Sequence, residues 1–436
     1  GSDILLNGKT TARTNTRMSL PAGNYNMQIQ RTDYRPWQRA ITVQGNSVER
    51  FDYPFLFPNN LVTKNTKSLT TAPIDASQSP SRRWILLENG VGGAFTLVDV
   101  NNSKKIATKN ITIPTGIMTI AETSAPQSLK VAEWSNDNRH VLLEHHYDKT
   151  YEYIMLDTQD LTKSQNLNVA LGIQPPIQLS LQNKRYDHYF ILDPTAKTLG
   201  TNSLSNATVT PMLKNVLAFK NYGNDRILYA SNQNAPDGQA SILLYQDKQK
   251  YFIRNVTKSS TYLLDLTTFS NSWYIVAGSP ADNKVYVYKN PVEALSQTTQ
   301  NVLVPVTVLK VTNPNYIKFS DSAQFIVAEN GNSFAVYDVQ YNNNFVYSVN
   351  APLDKPQIHA TWMDGDRLDY ISGGKLVVFD YDDTNKQTLM ASNPNYNAFF
   401  NPGYSFVYAI SNAAKTGDAQ PAMQLTNTAL LAPRDQ

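Results

Sequence analysis

Between Trp84 and Tyr408 the chain alternates short β-branched or aromatic runs with polar turns, and it repeats that phrase eight times. The leading runs are Trp84-Ile-Leu-Leu, His140-Val-Leu-Leu, His188-Tyr-Phe-Ile, Arg226-Ile-Leu-Tyr, Trp273-Tyr-Ile-Val, Phe325-Ile-Val-Ala, Arg367-Leu-Asp-Tyr and Phe406-Val-Tyr-Ala. Six of them are answered by a second run, at residues 95–99, 153–157, 242–245, 285–288, 334–338 and 376–380. Such runs between turn residues predict strands, and self-similarity at a period of roughly 40 to 50 residues predicts a β-propeller. Middle strands of a blade are covered on both faces by neighbouring blades, so they read as nearly continuous apolar runs rather than strict alternation. The exposed outer strands are more polar, as in residues 104–109, 164–168 and 386–390. Eight runs predict eight blades. Seven is the alternative, if the irregular stretch 177–213 contains an insertion.

The last blade ends without a clear fourth strand, whereas residues 60–70, before the first blade, form a spare one. That strand is expected to complete the last blade. The fold class is therefore all-β, with a propeller over residues 59–436 preceded by a small β-domain over residues 1–58.

The small domain shows Ile4-Leu-Leu ending in an Asn7-Gly8 turn, a period-two stretch at residues 24–30 and a further strand at residues 40–45. Asn7-Gly8-Lys9, Leu20-Pro21-Ala22-Gly23-Asn24-Tyr25, and Asp33-Tyr34 followed by Pro36-Trp37 together resemble a PEGA domain, a small β-fold of bacterial surface-associated proteins. Gly8 and Gly23 are expected at positive φ, Pro21 to preset a turn, and Tyr25, Tyr34 and Trp37 to supply a small core with apolar area. The family pattern starts with one more strand, upstream of Asp3, and its loss would leave an unpaired edge. In the repeats, Trp134-Ser-Asn-Asp-Asn, Phe319-Ser-Asp-Ser-Ala, Trp362-Met-Asp-Gly-Asp and Phe400-Asn-Pro-Gly-Tyr resemble the aromatic-Ser-Pro-Asp-Gly phrase of TolB-like propellers, and none of them is complete.

Composition changes this picture in three ways. Charged residues are only 17%, and the net charge of +3 is too small for a nucleic-acid partner. Zero cysteines exclude disulfides, thiolate metal sites and thiol nucleophiles. Gly1-Ser2 reads as a cloning remnant ahead of an abrupt strand, so a signal or anchor segment is expected upstream, and membrane attachment through it. Residues 1–58 hold Lys9, Arg13, Arg17, Arg31, Arg35, Arg39 and Arg50 against Asp3, Asp33, Glu49 and Asp52. Attraction to an anionic membrane or wall polymer is one reading of that excess, and solvated strand faces the better one.

No catalytic motif is visible, and no catalytic, metal or cofactor residue is assigned. His140, Glu144, His145 and His146 cluster, but His145 and His146 must point to opposite faces of one strand, which disfavours a shared metal. His188 and His359 are expected to fill space between blades. Asp99, Asp157, Asp338 and Asp380 recur at one register, which predicts acceptors for turn N–H groups at strand ends. Asp380-Tyr-Asp-Asp-Thr-Asn385 has the oxygen content of a calcium loop without its glycine and terminal glutamate, so a turn is expected. Gly90, Gly92 and Gly93 are placed in a hairpin. Residues 147–153, 232–238 and 341–345 are aromatic and amide-rich loops suited to a saccharide or peptide, although for each one a soluble hairpin tip is the favoured reading. The expectation is a non-enzymatic, extracytoplasmic binding or scaffolding protein engaging a protein or a cell-wall glycan. The alternative is a propeller hydrolase or lyase acting on glycans or peptides, and a TolB-like periplasmic assembly role is weaker still.

Overall fold

The computed structural model describes residues 1–103, 105–298, 302–413 and 423–435. Lys104, the first residue of an expected outer strand, lies outside the described residues. Among the described residues the chain is all-β, with nine four-stranded sheets and a few short helices. It divides into two compact units, residues 69–352 and residues 1–68 with 353–436.

The larger unit contains six sheets, each with its strands in sequence order. Their second strands are Trp84–Glu88, His140–Tyr147, His188–Asp193, Arg226–Ser231, Ser272–Ser279 and Phe325–Glu329, which contain the first six apolar runs. The packing explains why these runs do not alternate. In the second sheet, Val141 and Leu143 pack on Leu86, Phe95 and Leu97 of the first, whereas Leu142 packs on Leu179, Leu181 and Tyr189 of the third. Odd and even positions are both buried, against different neighbours. The same division joins the third sheet to the fourth, the fourth to the fifth and the fifth to the sixth. Each fully buried side chain of this kind contributes about 1.5–3 kcal/mol, so a charge at Leu142 would break the layer between the second and third sheets. The stretch 177–213 supplies Gln178–Leu181, His188–Asp193, Thr198–Ser203 and part of Asn206–Lys214, a sheet ordered like the others.

The expected outer strand at residues 164–168 is corrected. Only Gln165–Asn166 is strand, and Leu167–Leu171 is a helical turn. Asn166 caps it by accepting from the Val169 N–H, and Leu167 and Leu171, four apart, bury the same face. Its polar pattern is a capped turn.

The turn phrase has a mechanical role. Ser79 and Ser320 accept through Oγ from the N–H of Trp84 and Phe325, and Asn401 accepts through Oδ1 from that of Phe406, so the side chain closes the turn into the next strand. Asp137 and Asp364 close equivalent turns through the N–H groups of His140 and Arg367. Where the complete phrase would carry glycine, Arg82, Asn138, Ala323 and Tyr404 stand at φ of 62°, 58°, 61° and 51°. The backbone conformation persists without its usual residue.

In the smaller unit, β1 (Asp3–Leu6), β2 (Lys9–Arg13), β3 (Gly23–Gln30) and β4 (Trp37–Val43) form a sheet of order β2-β1-β3-β4. Asn7 and Gly8, at φ 51° and 80°, make the tight hairpin turn between β1 and β2. Gly23 is not at positive φ; it opens β3 in extended pairing with Val43, so the expected left-handed turn there is absent. The core of this sheet is Ile4, Leu6, Met27, Ile29, Trp37 and Ile41. A second sheet joins Thr361–Trp362, Arg367–Ser372, Lys375–Asp380 and Gln387–Ala391. The third joins Phe399–Phe400, Phe406–Asn412 and Met423–Ala429 to Thr63–Leu69.

Candidate functional site

The histidine cluster is dispersed by strand geometry. His145 is fully buried, with Nδ1 2.9 Å from Glu152 Oε1 on the paired strand. Burial raises the Glu152 carboxyl, but His145, the Thr119 N–H and hydroxyl, and Asn166 hold it below the usual range. His146 turns the other way, half-exposed, with Nε2 2.5 Å from Glu144 Oε1. His140 stacks on Tyr186 and meets Asp137. Among the described residues no three His, Asp or Glu groups converge as metal ligands. His188 and His359 are not buried as expected. Both are part-exposed, and His188 lies 2.9 Å from Asp187, its chain neighbour at the strand entry.

Three of the four register aspartates act as turn acceptors. Asp99 accepts from the Asn101 N–H, Asp157 from those of Gln159 and Asp160, and Asp338 from those of Gln340 and Tyr341. Burial opposes ionisation of Asp157, yet Arg139 and the turn donors bring it down to about 2. Asp380 departs from the pattern. Its Oδ2 accepts from the Trp37 indole Nε1 over 2.7 Å and from Asn385 Nδ2 over 2.9 Å.

That exchange belongs to a contact within the smaller unit. Asn385 receives the Gln38 N–H at 2.9 Å and donates to the Gln38 carbonyl at 3.1 Å, pairing with the start of β4 as a strand would. Arg39 pairs with Asp382 at 2.8 Å, both side chains largely buried. Tyr34 donates to Asp435 Oδ2 at 2.6 Å, Arg31 pairs with Asp435 at 2.6 Å, and Arg35 donates to Gln387. The six-residue calcium-like stretch is therefore a turn whose oxygens face protein donors. Arg31, Arg35 and Arg39 are engaged here, and Arg13 pairs with Asp3 at 2.9 Å. Trp37 thus joins two sheets as well as filling a small core, and Tyr34 reaches the terminal turn Pro433–Asp435.

Residues 147–153 are not a loop. Asp148 and Lys149, at φ 42° and 68°, make a two-residue turn between His140–Tyr147 and Thr150–Asp157. Tyr151 and Tyr153 are strand residues whose hydroxyls reach the Ile177 carbonyl. Residues 339–342 form a turn in which Tyr341 is exposed, and residues 232–238 form an irregular connection.

A pocket of about 420 Å³ lies in the larger unit between the fourth and fifth sheets. Arg226 opens the second strand of the fourth sheet, and Trp273 is the second residue of that of the fifth. Asn271 stands just before the latter strand and Asn290 after the strand that follows, and the helix Pro291–Gln297 adds Val292, Glu293 and Ser296. Leu244 and Ile275 form its apolar depth. The Asn290 side chain accepts from the Trp273 N–H at 2.7 Å, fixing the strand start against the helix. The Arg226 guanidinium lies 3.6 Å from the Trp273 ring centroid, and Tyr222 meets the same ring edge-on at 5.0 Å. Beyond that stacking, the guanidinium makes no hydrogen bond or ion pair among the described residues. Sequence reading saw Arg226 and Trp273 only as strand starts. The missed signal was Asn290-Pro-Val-Glu-Ala-Leu-Ser-Gln, with proline at the first helical position inside a β repeat.

Residues 1–56 match the model of the PEGA domain, a module typical of extracytoplasmic proteins. No curated protein matches the chain by sequence. Among solved structures, it is similar to the Dos1 propeller at 13% identity, covering 84% of this chain and 94% of that one with a TM-score of 0.49. It is also similar to the dihydro-heme d1 dehydrogenase NirN in complex with DHE, at 12% identity, 89% and 78% coverage and a TM-score of 0.44. A third similarity is to an oligogalacturonate lyase in complex with manganese, at 10% identity, 85% and 100% coverage and a TM-score of 0.43. No activity or ligand transfers at such similarity. Among the described residues no helix is long and apolar enough to cross a membrane.

Proposed function

We propose that the chain is a non-enzymatic, extracytoplasmic binding or scaffolding protein, built as an eight-bladed β-propeller on a PEGA-type module and held at the cell membrane through a segment upstream of that module. The blade count is supported by eight four-stranded sheets beyond the N-terminal one among the described residues, the last with Thr63–Leu69 as its fourth strand, a pairing suited to closing a circle. Burial of both faces of successive sheets supports the same reading. Extracytoplasmic placement rests on the PEGA match over residues 1–56.

The observation that carries the binding role is the preformed pocket holding a guanidinium without an acceptor among the described residues. Arg226 is held by stacking on Trp273 and lines a space walled by Leu244, Ile275 and Val292. An oriented donor set over an apolar wall is the form of a recognition site. The immobilised full chain should bind an envelope protein or wall-glycan fraction saturably and return it with unchanged mass. Shortened glycan or peptide products in the eluate, seen by mass spectrometry, would overturn the non-enzymatic reading.

A further inference from the structure

We infer that this pocket receives the C-terminal carboxylate of a partner polypeptide whose last residue is apolar. The inference rests on reading the pocket as the binding site of the chain. Arg226 supplies the first half of the argument. Guanidinium donors form a rigid fork matched to a carboxylate, and stacking on Trp273 at 3.6 Å fixes the plane of that fork before any ligand arrives. Little side-chain freedom remains to be lost on binding.

The walls supply the second half. Leu244, Ile275, Val292 and the Trp273 edge form an apolar lining beside the charge. A ligand must therefore carry an anion and an apolar group close together. A chain-terminal residue does so on a single carbon, because its carboxylate and its side chain share one Cα. An internal Asp or Glu would instead press polar backbone against those walls, leaving its amide groups without partners. At a chain end the one remaining amide lies toward the rim, where Gln246 and Asn271 offer donors and acceptors.

A saccharide fits less well. Sugar rings bind on a bare aromatic face, and the Trp273 ring is already stacked by Arg226 and met edge-on by Tyr222. Glu293 is exposed at the rim, where solvent screens it, so it weakens an incoming carboxylate without blocking it.

The test uses the full chain and fluorescein-labelled hexapeptides read by anisotropy, one ending in leucine as the free acid, the same peptide amidated, and one ending in aspartate, with octanoate as competitor. The leucine acid should bind. Amidation should weaken it about tenfold or more, as loss of a charge-assisted bond does. Arg226→Gln should abolish the difference between acid and amide, Arg226→Lys should restore part of it, and Glu293→Gln should tighten the acid modestly. Equal binding of acid and amide, preference for the aspartate peptide, absence of binding, or full displacement by octanoate would each overturn the inference. Should Arg226→Gln fail to fold, the acid and amide comparison on the unaltered chain still decides. Retention of a protein or glycan fraction by a chain that ignores these peptides would sink this inference and leave the broader binding role standing, whereas turnover of the fraction would sink the broader role.

Discussion

Replacing Trp37 by phenylalanine tests whether the N-terminal sheet and the sheet containing Asp380 are one cooperative structure. Trp37 is 1% exposed, and its indole donates to the Asp380 carboxylate over 2.7 Å. A hydrogen bond to a charged acceptor contributes about 1.5–3 kcal/mol, and the smaller ring forfeits about 1 kcal/mol of packing, so the substitution should cost about 2.5–4 kcal/mol. The pH dependence separates the two parts. Burial pushes the Asp380 carboxyl up to about 6, against the opposing pull of Arg367, Asn385 and Trp37. Because that value lies above the ordinary 3.8, stability associated with this group is full in acid and falls as pH rises through about 6. Loss of the indole raises the folded value further, so its electrostatic cost emerges only where the carboxylate is ionised. The penalty should therefore be about 1–2 kcal/mol larger at pH 8 than at pH 5. Urea unfolding followed by far-ultraviolet circular dichroism at both pH values reads this directly, with Asp380→Asn completing a double-mutant cycle. A penalty below about 0.5 kcal/mol, or one equal at both pH values with no coupling to Asp380→Asn, would refute the reasoning.

Three further outcomes follow from single observations. Glu88 is 1% exposed, neither carboxyl oxygen has a partner among the described residues, and burial with Asp75 opposite pushes it up to about 8. Stability should fall from about pH 4.5 through pH 8 by up to roughly 3–5 kcal/mol, and Glu88→Gln should flatten that slope in thermal scans; an unchanged slope would discount the group. Ala323→Gly should raise the melting temperature, since φ of 61° costs an alanine about 1 kcal/mol, and a lowered one would contradict the turn geometry. Thr63→Cys with Thr428→Cys, replacing hydroxyls 2.8 Å apart in a chain of zero cysteines, should cross-link on oxidation and stabilise by about 2–4 kcal/mol; a reduced pair on a non-reducing gel would count against the pairing of Thr63–Leu69 in that sheet.

The strands were legible because burial on two faces writes an unbroken apolar run, and Trp84-Ile-Leu-Leu or Phe325-Ile-Val-Ala can satisfy no other environment. The register aspartates were legible for a related reason. Repetition at one position in successive sheets reflects a shared turn, and Asp99, Asp157 and Asp338 serve it. Misreadings came where a side chain outside the repeat intervened. Asn166 reads as an outer-strand residue until its cap to Val169 is seen, and residues 147–153 read as a loop because Asp148 and Lys149 stand where hairpin turns usually carry Asn-Gly. The pocket was hidden more deeply, since Arg226 and Trp273 occupy strand-start positions at which other sheets carry Trp84 and Arg367. Only the stacking between two sheets reveals their pairing.

Asp380 shows how a repeat can be diverted from structure toward assembly. Its counterparts at residues 99, 157 and 338 accept from turn N–H groups just beyond the strand, and the turn after Asp380 is one in which Asp382 bonds Thr384 and Asn385 bonds Asp380 itself. Once the turn is closed by those side chains, the Asp380 oxygen is available to the Trp37 indole, and Asp382 and Asn385 are available to Arg39 and the Gln38 backbone. The same aromatic and arginine residues that would stabilise a free-standing small sheet are thereby committed to its neighbour. Buried charge-assisted bonds thereby join β4 to the turn at residues 380–385 within the smaller unit.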